Sequence, residues 1–199
     1  MVGITKSLSY ALESFGIQAP SLDELAKYIG PPLRDSFREL YDFTEDEIAL
    51  AVNEYREYFS ETGIFENVLY PGIPEMLEEL KHNGIVITVA TSKATVFAER
   101  IVEHFKIGKY FDFVAGSELD GRRSQKSEII EYAISIVDPR REKSPVMIGD
   151  RKYDIVGAKE VGIDSIGVSW GYGSRTELET AGATWIVDSP SEICNIVLR

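Results

Sequence analysis

Two carboxylates follow a short apolar stretch in the last third of the chain. Val146–Gly149 is apolar, and Asp150 and Asp154 come after it. The first polar residues after a buried parallel strand emerge at its carboxyl end, which is where open α/β sheets bind ligands. Two carboxylates four residues apart at a helix start provide the hard oxygen ligands that Mg²⁺ prefers. Either acid also suits a plain helix cap, so the pair by itself leaves both interpretations open.

A second apolar stretch ends in two hydroxyls and a cation. Ile85–Ala90 has the pattern of a buried strand, and Thr91, Ser92 and Lys93 follow it before an amphipathic helix. Hydroxyls beside the free N–H groups of a helix start favour a phosphate, because the positive end of the helix dipole lies there. A plain N-cap formed by Thr91 or Ser92 is the alternative.

A lysine stands at the start of a third candidate element. Lys126 opens a predicted amphipathic helix over 126–137. A cation is poorly placed there with respect to the helix dipole, so a nearby phosphate or acidic cluster would explain its position. The alternative is an ordinary solvated surface lysine.

The chain shows two kinds of sequence pattern, and the boundary between the two patterns lies near Tyr70–Gly72. Before that point apolar residues recur at helical spacing, and capping-box signatures occur at Ser21 with Glu24 and at Thr44 with Glu47. This first part is therefore predicted to be a small helical bundle.

Beyond that point, apolar strands alternate with amphipathic helices. Alternation of this kind predicts right-handed βαβ crossovers and an α/β fold with a doubly wound parallel sheet. We expect a helical domain over residues 4–66 and an α/β domain over residues 67–199. The predicted strands are 85–90, 111–115, 145–149, 165–168 and 184–187, and the predicted helices run to about 106, over 126–137, 152–161 and 174–181, and onward from 190.

Composition narrows the class of protein. The 199 residues include 33 acidic and 21 basic side chains, and the net charge of −12 argues against nucleic acid and anionic membranes as partners. Cys194 is the single cysteine, and His82 and His104 are the two imidazoles, so zinc and serine-triad chemistry are not expected. No signal segment or bilayer-spanning apolar run is visible, and we expect a cytoplasmic protein.

Thr91, Lys126, Asp150 and Asp154 each follow a predicted strand or open a predicted helix. In this arrangement the chain resembles a haloacid dehalogenase (HAD) superfamily phosphatase of the phosphoglycolate-phosphatase-like group. The stretch Gly116–Arg122, followed by Lys126, looks like the 5′-nucleotidase-type branch of that group. Four short motifs in order, together with a helical insert, make the combined resemblance specific.

The resemblance implies a role for each of these residues. The Thr91 hydroxyl and the Ser92 amide would hold the transferring phosphoryl group, and Lys126 would neutralise it. Asp150 would bind Mg²⁺, with Asp154 as a further ligand or as its support. A lysine, a hydroxyl, backbone amides and one cation suit phosphoryl transfer, which depends mainly on positioning and charge neutralisation.

The resemblance also implies a Rossmann-like core with an all-helical cap, formed by residues 4–66. A cap of this kind closes over the substrate and excludes water while the chemistry proceeds. The turn at Pro31, Pro32 and Leu33 would point toward the leaving group, and Lys93 would face the same cavity.

One part of the family pattern is missing. The family's first strand ends in a D-x-D-x-T or D-x-D-x-V loop whose first aspartate attacks phosphorus, and no such motif occurs in this chain. Met1–Thr5 resembles the point just after that loop, so we expect the first core strand and its nucleophile to precede Met1. That strand lies centrally in the family's sheet, so its absence should leave an open seam between the strands that end at Thr91 and Asp150. Without the attacking group we expect no phosphatase turnover from residues 1–199 alone.

Other interpretations stay open. A catalytically silent module would bind metal and phosphate without turnover, and a phosphomutase would return the phosphoryl group to its product. A receiver domain also combines aspartate, Thr or Ser, and Lys in a doubly wound sheet, but the helical insert and the Asp150/Asp154 pair argue against it. The expected partner is a small phosphorylated substrate, such as phosphoglycolate or a nucleoside monophosphate, bound by a monomer or homodimer.

Overall fold

The structure, a computed structural model, describes residues 2–199. The chain divides into two units, one extending to Val68 and the other spanning Leu69–Arg199. None of the helices formed by the described residues combines the length and the apolar character needed to cross a membrane.

The first unit is helical, as predicted. Both predicted capping boxes form: Ser21 Oγ accepts the Glu24 N–H at 3.4 Å, and Thr44 Oγ1 accepts the Glu47 N–H at 3.3 Å. In each box the glutamate accepts the backbone N–H of its partner in return, so both helix starts are satisfied locally. The unit contains α1 (Val2–Ser14), α2 (Leu22–Leu25), α3 (Leu33–Leu40) and α4 (Glu45–Glu61). Its fully buried side chains include Leu8, Leu12, Leu25, Phe37, Ile48 and Ile64.

The second unit alternates strands and helices. Its helices are α5 (Ile73–His82), α6 (Thr95–His104), α7 (Lys126–Val137), α8 (Lys152–Val161), α9 (Arg175–Ala181) and α10 (Pro190–Val197). Its strands are β1 (Thr88–Ala94), β2 (Phe113–Ser117), β3 (Val146–Gly149), β4 (Asp164–Val168) and β5 (Trp185–Val187). The predicted helices over 126–137 and 152–161 match α7 and α8 at both ends, because their apolar periodicity and first residues are local signals.

All strand pairs are parallel, which agrees with the predicted crossovers, but the sheet is in two parts. β1 pairs with β2, while β4 lies between β3 and β5. Within residues 2–199 no ladder joins β1 to β3, although Ala90 of β1 packs in the same apolar cluster as Met147 of β3. The interruption lies between the two strands where the sequence predicts an open seam.

Strand β1 differs from the prediction of a buried strand over 85–90. Asp112 bonds both the N–H and the C=O of Ile87, at 2.8 Å each, and takes the place of strand pairing there. The strand therefore begins at Thr88, and its register with β2 becomes irregular between Thr91 and Ala94. Most of β1 is only half-buried. The expected placement of Thr91 and Ser92 at a helix start is wrong, because α6 begins four residues after Thr91 with Ala94 as its N-cap.

Candidate active site

Lys126 and Asp154 form a buried ion pair that joins three elements. The Lys126 ammonium lies 2.8 Å from Asp154 Oδ1 on α8 and donates at 3.1 Å to the carbonyl of Ala90 on β1. The two side chains are 11% and 10% exposed, so water screens the pair weakly. Lys126 therefore connects β1, through Ala90, with the first turn of α8, across the interruption in the sheet.

The approach of Lys126 to α8 requires a glycine at position 157. A Cβ on Gly157 would lie 2.7 Å from Cγ and 2.9 Å from Cβ of Lys126, closer than packed carbon atoms allow. The lysine stem thus passes directly over the backbone of α8. Lys126 therefore has a buried stem and a paired ammonium. The alternative interpretation, a solvated surface lysine, is wrong.

Asp150 is held by the loop that follows β4. Its Oδ2 accepts the backbone N–H of Tyr172 at 2.8 Å, and its own carbonyl accepts the N–H of Gly173 at 2.9 Å. Gly171 packs directly against the carboxylate, and a Cβ there would overlap Asp150. The loop therefore holds both the backbone and the side chain of Asp150.

The two carboxylates of the Asp150/Asp154 pair have different surroundings. Both oxygens of Asp154 are engaged, Oδ1 by Lys126 and Oδ2 by the Arg151 N–H at 3.1 Å. Among the described residues Asp150 forms no such ion pair, and its Oδ2 accepts a backbone N–H. Within residues 2–199 no group of three or more His, Cys, Asp or Glu side chains has a metal-binding arrangement. Asp150 is the better placed of the two for a cation, with Asp154 orienting Lys126.

Lys93 lies in the electrostatic field of the same site. Burial lowers the pKa of Lys93, the charge of Lys126 lowers it further, and the charge of Asp150 opposes both effects. Two ammonium groups and one carboxylate therefore act on a common region. A bound anion near Lys93 would oppose this lowering of its pKa.

Thr91 and Ser92 lie on the irregular end of β1. Thr91 Oγ1 accepts the Lys93 N–H at 3.2 Å, and the Ser92 carbonyl accepts the Ser117 hydroxyl at 3.0 Å. The Ala90 carbonyl that Lys126 contacts belongs to the residue immediately before Thr91. The structure thus places this segment beside Lys126, although on a strand end rather than a helix start.

The loop that leads into Lys126 is fastened by Arg123. The Arg123 guanidinium pairs with Glu118 and stacks 3.9 Å from the centre of the Tyr132 ring on α7. Its Nε donates to the Gly116 carbonyl at 3.4 Å. Arg123 thereby links the end of β2 to the second turn of α7, the helix that Lys126 opens.

Pro31, Pro32 and Leu33 belong to the first unit, where Pro32 is the N-cap of α3. Their expected role on the substrate side of the cap stays a prediction.

Sequence reasoning missed the roles of Tyr172 and Glu177 around Asp150. Two glycines flanking Tyr172 directly after a strand were the available signal, because a ligand or another backbone approaches closely at such positions.

The comparisons with known proteins agree on one family. Residues 2–168 match the model of the haloacid dehalogenase-like hydrolases. A 5′-nucleotidase of Pseudomonas aeruginosa is 45% identical over 176 residues, which cover 88% of this chain and 79% of that protein. A phosphoglycolate phosphatase of Vibrio parahaemolyticus is 27% identical over 195 residues, which cover 94% of this chain and 85% of the relative.

A crystal structure from Clostridium acetobutylicum, titled a predicted phosphatase, superposes with a TM-score of 0.94 at 47% identity. The superposition covers 99% of this chain and 91% of that one. The resemblance inferred from Thr91, Lys126, Asp150 and Asp154 is therefore confirmed at the level of family and fold. This chain belongs to the haloacid dehalogenase-like hydrolase family.

Proposed function

We propose that this protein contributes most of the active site of a Mg²⁺-dependent phosphatase that hydrolyses small phosphate monoesters. The observation that carries the proposal is the position of Lys126, which bonds Ala90 of β1 and Asp154 in the first turn of α8 at once. A buried, paired ammonium beside Lys93 and Asp150 provides the neutralising charge that phosphoryl transfer needs.

Each residue of the chain has a specific task in this proposal. The Thr91 hydroxyl and the Ser92 amide bind the phosphoryl oxygens, and Lys126 neutralises their charge. Asp154 holds Lys126 in place through the 2.8 Å ion pair. Lys93 contacts an anionic group of the substrate, because an anion there would offset the repulsion between Lys93 and Lys126.

Asp150 is the residue that would hold Mg²⁺. Its Oδ2 accepts the Tyr172 N–H, and its other oxygen is the one that a cation would use. Mg²⁺ keeps several water ligands and takes one or two carboxylates together with substrate phosphate oxygens, so a single well-held aspartate suits it. When bound, the cation supplies charge stabilisation to the phosphoryl oxygens.

The attacking group in this proposal is an aspartate outside residues 1–199. The family resemblance implies a nucleophilic Asp in a D-x-D-x-T or D-x-D-x-V loop at the end of a central strand, and the chain contains no D-x-D sequence. The interruption between β1 and β3 and the partial exposure of β1 support a strand that inserts there. The nucleophile would form an aspartyl-phosphate, which water then hydrolyses.

The substrate class is a small phosphorylated metabolite. Names of the relatives point this way, since they include a 5′-nucleotidase and a phosphoglycolate phosphatase. A nucleoside 5′-monophosphate and phosphoglycolate are therefore the first compounds to test. Both carry a phosphate monoester for Thr91, Ser92 and Lys126, with the rest of the molecule left for Lys93.

Phosphate release in the presence and absence of Mg²⁺ tests the proposal. Residues 1–199 alone are expected to give no turnover. Addition of a peptide that reproduces the family's first strand through D-x-D-x-T, or a chain extended by that segment, is expected to give Mg²⁺-dependent release. Turnover by residues 1–199 alone would refute the external nucleophile.

The variants K126M and D150N are expected to abolish the restored activity. K159M is the matched control for the lysine, because Lys159 is an exposed residue near the end of the same helix that Lys126 contacts. An extended chain that binds phosphate but never releases it would favour the catalytically silent alternative. Transfer of the phosphoryl group to a product, without free phosphate, would favour a phosphomutase.

A further inference from the structure

Glu177 connects α9 to the segment that carries Asp150. Its Oε1 accepts two bonds, from Arg151 Nε at 2.9 Å and from the Lys152 N–H at 2.8 Å. The side chains of Arg151 and Glu177 are 12% and 24% exposed. One carboxylate oxygen thus holds the two residues that directly follow Asp150.

The same end of α9 also controls the loop that contacts Asp150. Ser174 caps α9 by accepting the Glu177 N–H at 3.1 Å, and Gly173 immediately before it donates to the Asp150 carbonyl. Asp150 is therefore held from both sides, by the backbone of residues 172 and 173 and by the side chain of Glu177 through residues 151 and 152.

The ionisation of Glu177 is consistent with this geometry. Burial raises the pKa of Glu177, but the bonds from the Lys152 N–H and the Arg151 guanidinium outweigh that effect, so the pKa lies below its ordinary value. The carboxylate is charged near neutral pH. Charge-assisted bonds of this kind are stronger than neutral ones and fix orientation well.

We propose that Glu177 is a positioning residue that sets the orientation of the Asp150 carboxylate for its cation. The inference rests on the proposed function, because it takes Asp150 as the cation ligand. Residues that orient a metal ligand typically contribute a factor of about 10 to 100 in metal affinity. Glu177 itself does not contact the cation in this proposal.

Direct binding of Tb³⁺, used alone as a luminescent probe of carboxylate cation sites, tests the inference on the full chain. Trp170 stands two residues before Tyr172, whose N–H bonds Asp150, so it is the tryptophan expected to sensitise a bound ion. The wild-type chain is expected to give a saturable signal that D150N abolishes. E177Q keeps the size of the side chain and removes its charge, and it is expected to weaken binding about 10- to 100-fold.

A second variant separates positioning from long-range attraction. E177D keeps the charge but is one methylene too short to reach Arg151 and Lys152 together, so it is also expected to weaken binding. E179Q removes the same charge from an exposed position on α9 and should leave the affinity unchanged.

The outcomes are distinct. Wild-type affinity in E177D would overturn the positioning role, and so would wild-type affinity in E177Q. A weakening by E179Q equal to that by E177Q would assign the effect to net charge and would also overturn it. An absent wild-type signal, or one that D150N leaves intact, would refute the cation site at Asp150 itself. Circular dichroism on each variant ensures that affinities are compared between folded chains.

Discussion

Replacement of Asp154 by alanine tests the central feature of the site, the buried pair with Lys126. At 2.8 Å and an effective dielectric constant of about 20, the Coulomb attraction between the two charges is about 6 kcal/mol. Desolvation of both ions offsets much of this attraction when the pair forms. Removal of one partner is different, because it leaves the Lys126 ammonium buried without its counter-charge, bonded to the Ala90 carbonyl. We therefore expect D154A to destabilise the second unit by about 3–5 kcal/mol.

Urea unfolding followed by tryptophan fluorescence is the appropriate assay. Both tryptophans, Trp170 and Trp185, lie in the second unit, so the signal reports the unit that contains the pair. With a urea dependence of about 2 kcal/mol per molar, the expected loss shifts the midpoint down by about 2 M. D154N, which keeps an oxygen for Lys126, should lie between the wild type and D154A.

The double variant K126M/D154L separates the pair from its surroundings. With both charges replaced by apolar side chains of similar size, the second unit should recover most of the stability that D154A loses. The reasoning is refuted if D154A moves the midpoint by less than about 0.5 M, which corresponds to about 1 kcal/mol. It is equally refuted if the double variant is as unstable as the single one.

Three further perturbations have expected outcomes. Gly157→Ala places a Cβ 2.7 Å from the Lys126 stem and should lower the urea midpoint by an amount equivalent to about 1–3 kcal/mol, whereas an unchanged midpoint contradicts the packing argument. Thr44→Ala removes the cap of α4 and should cost the helical unit about 1 kcal/mol, measured by circular dichroism at 222 nm during unfolding. Bonds from the Lys143 N–H, together with other donors and charges, hold the pKa of Asp138 below its usual range against the opposing effect of burial. Asp138 therefore stabilises the fold at pH values above its unfolded pKa, and this contribution is lost as the pH falls through its lower folded pKa. The difference in unfolding free energy between wild type and D138N should be present at pH 7 and vanish in acid.

Local signals made much of the fold predictable. The bounds of α7 and α8, the two capping boxes and the parallel strands follow from apolar periodicity, helix starts and alternation of elements, all of which act within a few residues. The set Thr91, Lys126, Asp150 and Asp154 was also visible, because polar residues after apolar strands emerge at the carboxyl edge of a parallel sheet.

The start of β1 was not predictable from its own residues. Asp112, 25 positions further along the chain, bonds Ile87 and moves the beginning of the strand to Thr88. A side chain from a distant loop here competes with strand pairing, and no local pattern records that competition.

The amino-acid sequence by itself determined which residue types stand at the ends of the strands, and through them the family and the class of chemistry. Only the tertiary structure decided that Asp154 pairs with Lys126 while Asp150 is held by the backbone of Tyr172 and Gly173. The two aspartates look equivalent in the sequence, since both follow the same strand within five residues. Their roles differ because separate elements, α7 on one side and the loop after β4 on the other, approach each carboxylate, and that approach depends on how distant parts of the chain pack together.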